Sequence, residues 1–406
     1  MRPPKVYSID EHLLPINKID TKAYYVIEKL RVNGFLSFLV GGSVRDLLLK
    51  QVPKDFDIAT SAKPEEIKKI FKRNCILIGK RFRLAHIRFG KKIIEVSTFR
   101  AGDAKKEELI LQDNIYGTPE KDVLRRDFTI NGLFYDPEVQ TVIDYVDGYT
   151  DLQKKILRTI GEAKLRFIQD PVRMIRLLKF KARFDFEIEK ETLNALIECK
   201  QEIVKSSPAR ILEELFRMLV STKSKNFFKL LDSYNFLDYL MPELSDFLKI
   251  NNTLVFTLLE KADLEISKNS LPRSVLISCL IYPYLEMQLK EEFIDKDIFV
   301  HLGIVIQIAK ESTNAIFRPF FQVPKKLKVE IISILTNQFR FTPINNSKKF
   351  KRLKIPRDPC FFMSLQFFRL RCLIDTNLSN IYHRWLNAYE SKKIPKKIQK
   401  VKENEL

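Results

Sequence analysis

The apolar positions of this chain follow two periods up to about residue 155, and one period beyond it. Ala23, Val26, Ile27 and Leu30 recur at three-to-four spacing, with Asp20 placed to cap the helix they predict and Gly34 placed to end it. FLSFLV (35–40) is a continuous apolar run and predicts a buried strand, and Asp55 to Ile58 predicts a second. Ser61 and Pro64 open a helix that carries Ile67, Ile70 and Phe71 on one face. CILIG (75–79), RLAHIRF (83–89) and KIIEVSTF (92–99) predict three more strands. Past residue 155 strand signals nearly vanish. Helical stripes run over 164–184, 208–220 and 226–240, with breaks near Pro242, Pro272, Pro319, Pro324 and Pro356 and no repeat of fixed period. The pattern predicts a mixed α/β head with a small sheet, followed by helices only.

Length and composition add constraints. A chain of 406 residues is too long for one compact core and predicts two to four domains. With 31 Phe and only 11 Gly, helices packed by aromatic rings fit better than a loop-rich fold. No run approaches the roughly 20 apolar residues that cross a bilayer. The opening MRPPKVYSIDEH has no apolar core of a secretory signal, so a cytoplasmic location is expected. Cys75, Cys199, Cys279, Cys360 and Cys372 lack any CxxC spacing and read as free, buried thiols. The four histidines are equally scattered, which argues against a zinc site. The net charge of +20 points to a polyanionic partner. Its basic runs fall late, in PKKLK (324–328), SKKFKRLK (347–354) and SKKIPKKIQKVK (391–402). Nucleic acid is the favoured partner, and an anionic membrane surface the weaker alternative, because these runs lack a clean amphipathic face. The polar segment 391–406 reads as a disordered tail.

Candidate chemistry begins at residues 38–58, FLVGGSVRDLLLKQVPKDFDI. Gly41 and Gly42 allow a sharp turn and close approach of backbone to a phosphate chain. Ser43 adds a hydroxyl, and VRDLLL opens a helix whose first N–H groups attract anions. Asp55 and Asp57 are two apart, so in extended chain both carboxylates face one way and can grip the same hard cations. A lone glycine pair is usually a turn and a lone DxD usually a solvated strand end; the succession of strand, turn, helix and DxD makes a site of them. Glu95 in KIIEVSTF is either a third metal ligand or an edge-strand glutamate facing water. In LRRDFTINGLFYD (124–136), Arg125 and Arg126 suit phosphate, and Asp127 suits a helix cap. Asp170, Arg173 and Arg176 share one helix face, as a base-edge reader or as a structural ion-pair ladder.

Together, LVGGSVRDLLL, PKDFDIAT, RRDFTINGLFYD and DPVRMIRLLKF resemble the class II nucleotidyltransferases, the family of bacterial poly(A) polymerases and CCA-adding enzymes. GKRFRLAHIRFGKKIIEVSTFR (79–100) and DNIYGTPEKDVLRRDFTIN (113–131) are similar to the poly(A) polymerase branch. The resemblance implies an α+β, polymerase-β-like nucleotidyltransferase head over 20–155 and a helical neck and body over 156–240. It further implies a helical RNA-binding region over 241–390 and a basic tail over 391–406. It implies that Gly41, Gly42, Ser43, Arg45 and Arg126 meet the incoming nucleotide, and that Asp55 and Asp57 hold Mg²⁺. Asp127 becomes a catalytic carboxylate, and Asp170, Arg173 and Arg176 the base readers. The reaction implied is transfer of AMP from ATP to an RNA 3′ end with loss of pyrophosphate. CCA addition to tRNA, or an inactive RNA-binding scaffold, are the other readings of the same motifs. Gln169 stands where the family usually has glutamate, and the segment between Phe99 and Asp113 is short.

Overall fold

The computed structural model describes residues 3–79, 84–101, 115–343 and 355–393. It divides into two compact units, Met1–Ile203 and Val204–Leu406. The change from mixed to purely helical pattern near residue 155 lies inside the first.

The first unit is built on an eight-stranded sheet. Its strands are β1 (Lys5–Tyr7), β2 (Ser37–Val40), β3 (Asp57–Thr60), β4 (Cys75–Ile78), β5 (Leu84–Phe89), β6 (Lys92–Thr98), β7 (Leu133–Asp136) and β8 (Thr141–Asp144). They lie in the order β1-β8-β7-β2-β3-β6-β5-β4. Among the described strands of this sheet only β3 and β6 pair in parallel, with Asp57 opposite Glu95; a separate parallel pair, Ile156–Leu157 with Glu187–Ile188, departs from the helices-only pattern expected past residue 155. Five strands follow the pattern read from the sequence; β1, β7 and β8 extend the sheet beyond the small one expected. In β7 Leu133, Phe134 and Tyr135 are all buried. A strand covered on both faces shows no alternation to read. The DxD strand begins at Asp57, and Asp55 lies in the exposed turn before it. Helix α1 (Thr21–Val32) starts where Asp20 accepts the Lys22 N–H at 2.8 Å, and Gly34 follows it at φ +84°. Helices α2 (Gly42–Leu48) and α3 (Pro64–Phe71) come next. On the sheet face that carries Phe38, Val40 and Ala59, a core forms with Phe99, Val123, Phe134 and Ile160. The segment 164–184 is two helices, α4 (Ala163–Gln169) and α5 (Val172–Phe184), parted at Asp170–Pro171 because proline cannot supply the continuing N–H. Helix α6 (Lys190–Cys199) packs against α4.

The second unit contains helices and no strand among the described residues. Helix α7 (Arg273–Glu292) is buried from Ser274 to Leu285, so its apolar run lacks a stripe and encloses Pro283 without breaking. Among the other helices of the unit are α8 (Lys325–Phe341), α9 (Phe361–Cys372) and α10 (Ser379–Lys393), with Phe341, Phe361, Phe368 and Trp385 in a shared aromatic cluster. Pro242 opens a helix, and Pro272 and Pro324 immediately precede α7 and α8, as the breaks predicted. Asp358 takes the Asn337 amide at 2.9 Å and the Cys360 N–H at 2.8 Å, which ties the start of α9 to α8. All five cysteines are free and buried. No helix among the described residues is long and apolar enough to cross a membrane. The basic run 347–354 lies outside the described residues, as does the chain after Lys393; Ser391, Lys392 and Lys393, assigned to the tail by sequence, are part of α10.

Candidate active site

The glycine turn joins β2 to α2. Gly41 has φ +67° and ψ −125°, where a Cβ is strained, and a Cβ there would stand 3.0 Å from Arg126 Nη1. Gly42 is different. A Cβ on it would meet only Arg45 Nη2, at 3.5 Å. Among the described residues no side chain caps α2, so its first N–H groups are not taken up by a cap. The Ser43 hydroxyl, expected at the phosphates, instead donates to Val40 O at 3.1 Å, because a hydroxyl buried in the turn needs a partner there. Arg45 is likewise turned inward. Its guanidinium donates to Asp46 at 2.9 and 2.7 Å and to Asn131 Oδ1, and lies over the Phe180 and Phe184 rings at 5.1 and 4.9 Å.

Across the turn stand the carboxylates. Val40 pairs with Asp57, which pairs in turn with Glu95. Burial, followed by the charge of Glu95, pushes the Asp57 carboxyl up to about 6; Asp55 adds to the effect and Arg126 opposes it. Glu95 also has His86 Nε2 3.4 Å from its Oε2. Among the described residues no three His, Cys, Asp or Glu side chains form a complete metal cage. The Asp57 environment nonetheless suits a hard cation, since added positive charge would relieve its repulsion. Mg²⁺ is commonly held by one or two carboxylates with waters and substrate phosphates supplying the rest.

Arg126 links both halves. It donates to Asp122 at 3.2 and 2.9 Å while lying beside the Gly41 turn. The backbone behind it is clamped. Arg166 of α4 donates to the Leu124 and Arg126 carbonyls at 3.0 and 3.1 Å, and Arg173 of α5 to the Arg125 carbonyl at 2.9 Å. Burial and then neighbouring guanidiniums lower Arg166 to about 9 and Arg125 to about 10. Positive charge is thus concentrated where solvent is scarce, a setting that favours an anion. Asp127 is buried, and its Oδ1 accepts the Phe128 N–H at 2.8 Å and the Asn131 amide at 3.0 Å. Arg176 Nη2 is 2.7 Å from its Oδ2. Burial alone would raise this carboxyl; Arg176 and the two hydrogen bonds hold it below its usual value. Asp127 therefore does not cap a helix. Asp170 ends α4, and its carbonyl accepts the Arg173 N–H at 3.0 Å.

Gly41, Asp57, Glu95 and Arg126 are brought together at this turn, whereas Arg45 and Asp127 join through the buried Asn131, and the partly exposed Arg176 pairs with Asp127. Sequence reading missed Asn131, Asp122, Arg166, Asp46 and Arg183. Arg183 donates to Asp46 at 2.8 Å. Asn131 sits inside the RRDFTIN string, but nothing in spacing alone separates a buried amide from a turn asparagine.

Residues 37–158 match the family described as Poly A polymerase head domain, and 185–248 the one described as Probable RNA and SrmB-binding site of polymerase A. Poly(A) polymerase I of Haemophilus influenzae is 45% identical over 233 residues, 55% of this chain and 52% of that protein. The matched part thus spans about half of that relative. Poly(A) polymerase I of Salmonella typhi is 32% identical over 401 residues, covering 91% of this chain and 82% of that one. The crystal structure of the Bacillus stearothermophilus CCA-adding enzyme in complex with CTP shares the fold, with a TM-score of 0.54 at 21% identity over 91% of this chain and 98% of that one. With its mixed-sheet head, glycine turn and carboxylate strand in the family's order, this chain belongs to the class II nucleotidyltransferases, the family of bacterial poly(A) polymerases and CCA-adding enzymes.

Proposed function

We propose that this RNA nucleotidyltransferase is a template-independent poly(A) polymerase, adding AMP from ATP to RNA 3′ ends and releasing pyrophosphate. The observation that carries the reading is Asp57, paired across the strands with Glu95 and crowded by Asp55, beside a glycine turn that packs closely against Arg126. Gly41, Gly42 and Arg126 receive the triphosphate, with Ser43 and Arg45 forming the wall behind the turn. Asp55 and Asp57 hold Mg²⁺, with Glu95 beside them. A bound pair of Mg²⁺ ions supplies activation of the primer 3′-hydroxyl and charge neutralisation on the leaving pyrophosphate. Asp127 holds Arg176, and Asp170, Arg173 and Arg176 present α5 to the base. The late basic segments hold RNA through its phosphates, without sequence reading.

Adenylation is favoured over CCA addition by the 32% identity with a poly(A) polymerase I along most of both chains. Tailing by CCA addition is the second reading, supported by a CCA-adding enzyme of Lactobacillus delbrueckii that is 35% identical over 219 residues, 53% of this chain. Labelled ATP or CTP, supplied with generic RNA and with tRNA lacking CCA, decides between them. Long adenylate tails on generic RNA are expected; a fixed C-C-A product confined to tRNA would overturn the proposal.

A further inference from the structure

The sheet face that carries the carboxylates continues outward past them. Asp57 lies opposite Glu95, Glu95 opposite His86, and His86 opposite Ile76, so one row crosses β3, β6, β5 and β4. Residues opposite one another share a sheet face. By the same alternation Ile78, Arg88 and Ile93 lie on that face too. Over β2, β3 and β7 this side is covered by Val123 and Ile160. Among the described residues, the cover stops beyond Asp57. Ile76, Ile78 and Ile93 are 41%, 44% and 47% exposed, whereas Ala85, Ile87, Ile94 and Val96 on the opposite face are essentially inaccessible. The core therefore does not account for these isoleucines. The turns bordering the face carry exposed Lys72, Arg73 and Lys91, and Arg88 is itself exposed.

We propose that this open face, formed by Ile76, Ile78, His86, Arg88 and Ile93, is the landing surface for the last nucleotides of the RNA being extended. The inference rests on the nucleotidyl-transfer reading of Asp57. An acceptor whose 3′-hydroxyl reaches that carboxylate must lay its preceding nucleosides on a neighbouring surface, and three strand spacings from β3 to β4 offer about 14 Å. Bases and riboses pack on aliphatic side chains, imidazole and guanidinium planes, while the bordering cations meet phosphates. A protein partner would also cover isoleucines. The basic border and the continuity with the carboxylates favour RNA.

The test uses the full chain, with Ile78→Glu and Arg88→Glu as exposed substitutions outside the carboxylate set. Each should raise the KM for an oligonucleotide primer about tenfold while the nucleotide KM stays within about twofold. Ile78→Lys should leave primer KM at or below the wild-type value. A primer bearing 4-thiouridine next to its 3′ end should crosslink to peptides within 75–93. Equal losses from Ile78→Glu and Ile78→Lys would show a structural effect and overturn the proposal. So would unchanged primer KM, as expected for a protein occupant, or crosslinks confined elsewhere. The kinetics are run with both ATP and CTP, so a change of preferred nucleotide refutes adenylation without touching this surface. If neither nucleotide is added, nucleotidyl transfer itself fails, and crosslinking still decides where RNA lies.

Discussion

Single residues at the turn carry opposed demands of stability and chemistry. Asp57 is an acid whose folded value, about 6, lies above its ordinary 3.8. Such a group favours the fold when protonated, so it costs nothing below about pH 4 and costs progressively more as pH rises to 6. Above that the penalty is complete, on the order of 2–3 kcal/mol. Asp57→Asn should therefore abolish nucleotide addition yet raise the melting temperature at pH 8, with the gain shrinking toward pH 4. A variant that keeps turnover, or that gains nothing at pH 8, contradicts the charge-crowded site. The two glycines separate in the same spirit. Gly41→Ala should cost about 1–3 kcal/mol, because its backbone angles are strained for a Cβ that also meets Arg126. Gly42→Ala has room within the chain and should leave the melting temperature unchanged while raising the nucleotide KM. A normal KM in that variant would mean that no phosphate approaches Gly42. Gly41, Gly42 and Asp57 were legible as a set because their residue types are restrictive. Ser43 and Arg45 were legible only as types, since whether a side chain faces ligand or core depends on neighbours far along the chain.

Elements show why. Helix α5 was readable from its apolar stripe and from Asp170–Pro171 before it, but its arginines act through contacts with segment 124–127, more than 40 residues earlier. Such contacts have no spacing signature. Strand β7 escaped for a related reason: burial on both faces erased the alternation that revealed β6, where Glu95 interrupts Ile94 and Val96. Arg173 is nearly buried and holds the Arg125 carbonyl, so it belongs to the scaffold of the arginine segment whatever else it does. Arg173→Ala should lower stability by about 1.5–3 kcal/mol, the range for a hydrogen bond involving a charged group. It should also narrow discrimination between ATP and CTP. Lysine should restore neither, because a point charge cannot replace the planar fork. If stability falls while discrimination holds, the clamp remains and the base-reading role goes. Arg176→Ala leaves Asp127 buried with its two hydrogen bonds but without its cation, and should cost on the order of 2 kcal/mol, less than a fully buried pair because Arg176 is partly exposed.

For the molecule as a whole, charge is the property most plainly legible from sequence, because an excess of +20 needs no fold to be seen. Its distribution is equally plain: the runs 324–328, 347–354 and 391–402 are remote in sequence from the head that carries Asp57. Capture of RNA and chemistry on its end should then separate experimentally. Each phosphate neutralised releases a counterion, so RNA affinity should fall steeply with salt, in proportion to the number of contacts. Removing residues 394–406, which follow α10, should weaken binding and flatten the salt slope, while the rate at saturating RNA stays near wild type. The deletion begins at 394 because Ser391 to Lys393 are helical, and cutting earlier would shorten an element that seats Trp385 in the aromatic cluster. A tail serving only solubility makes no phosphate contact and predicts parallel slopes for the two proteins. Titrations at several salt concentrations distinguish the cases. A flatter slope with an unchanged saturated rate assigns these residues to capture, whereas a fall in that rate would mean that the end of the chain takes part in positioning the 3′ terminus.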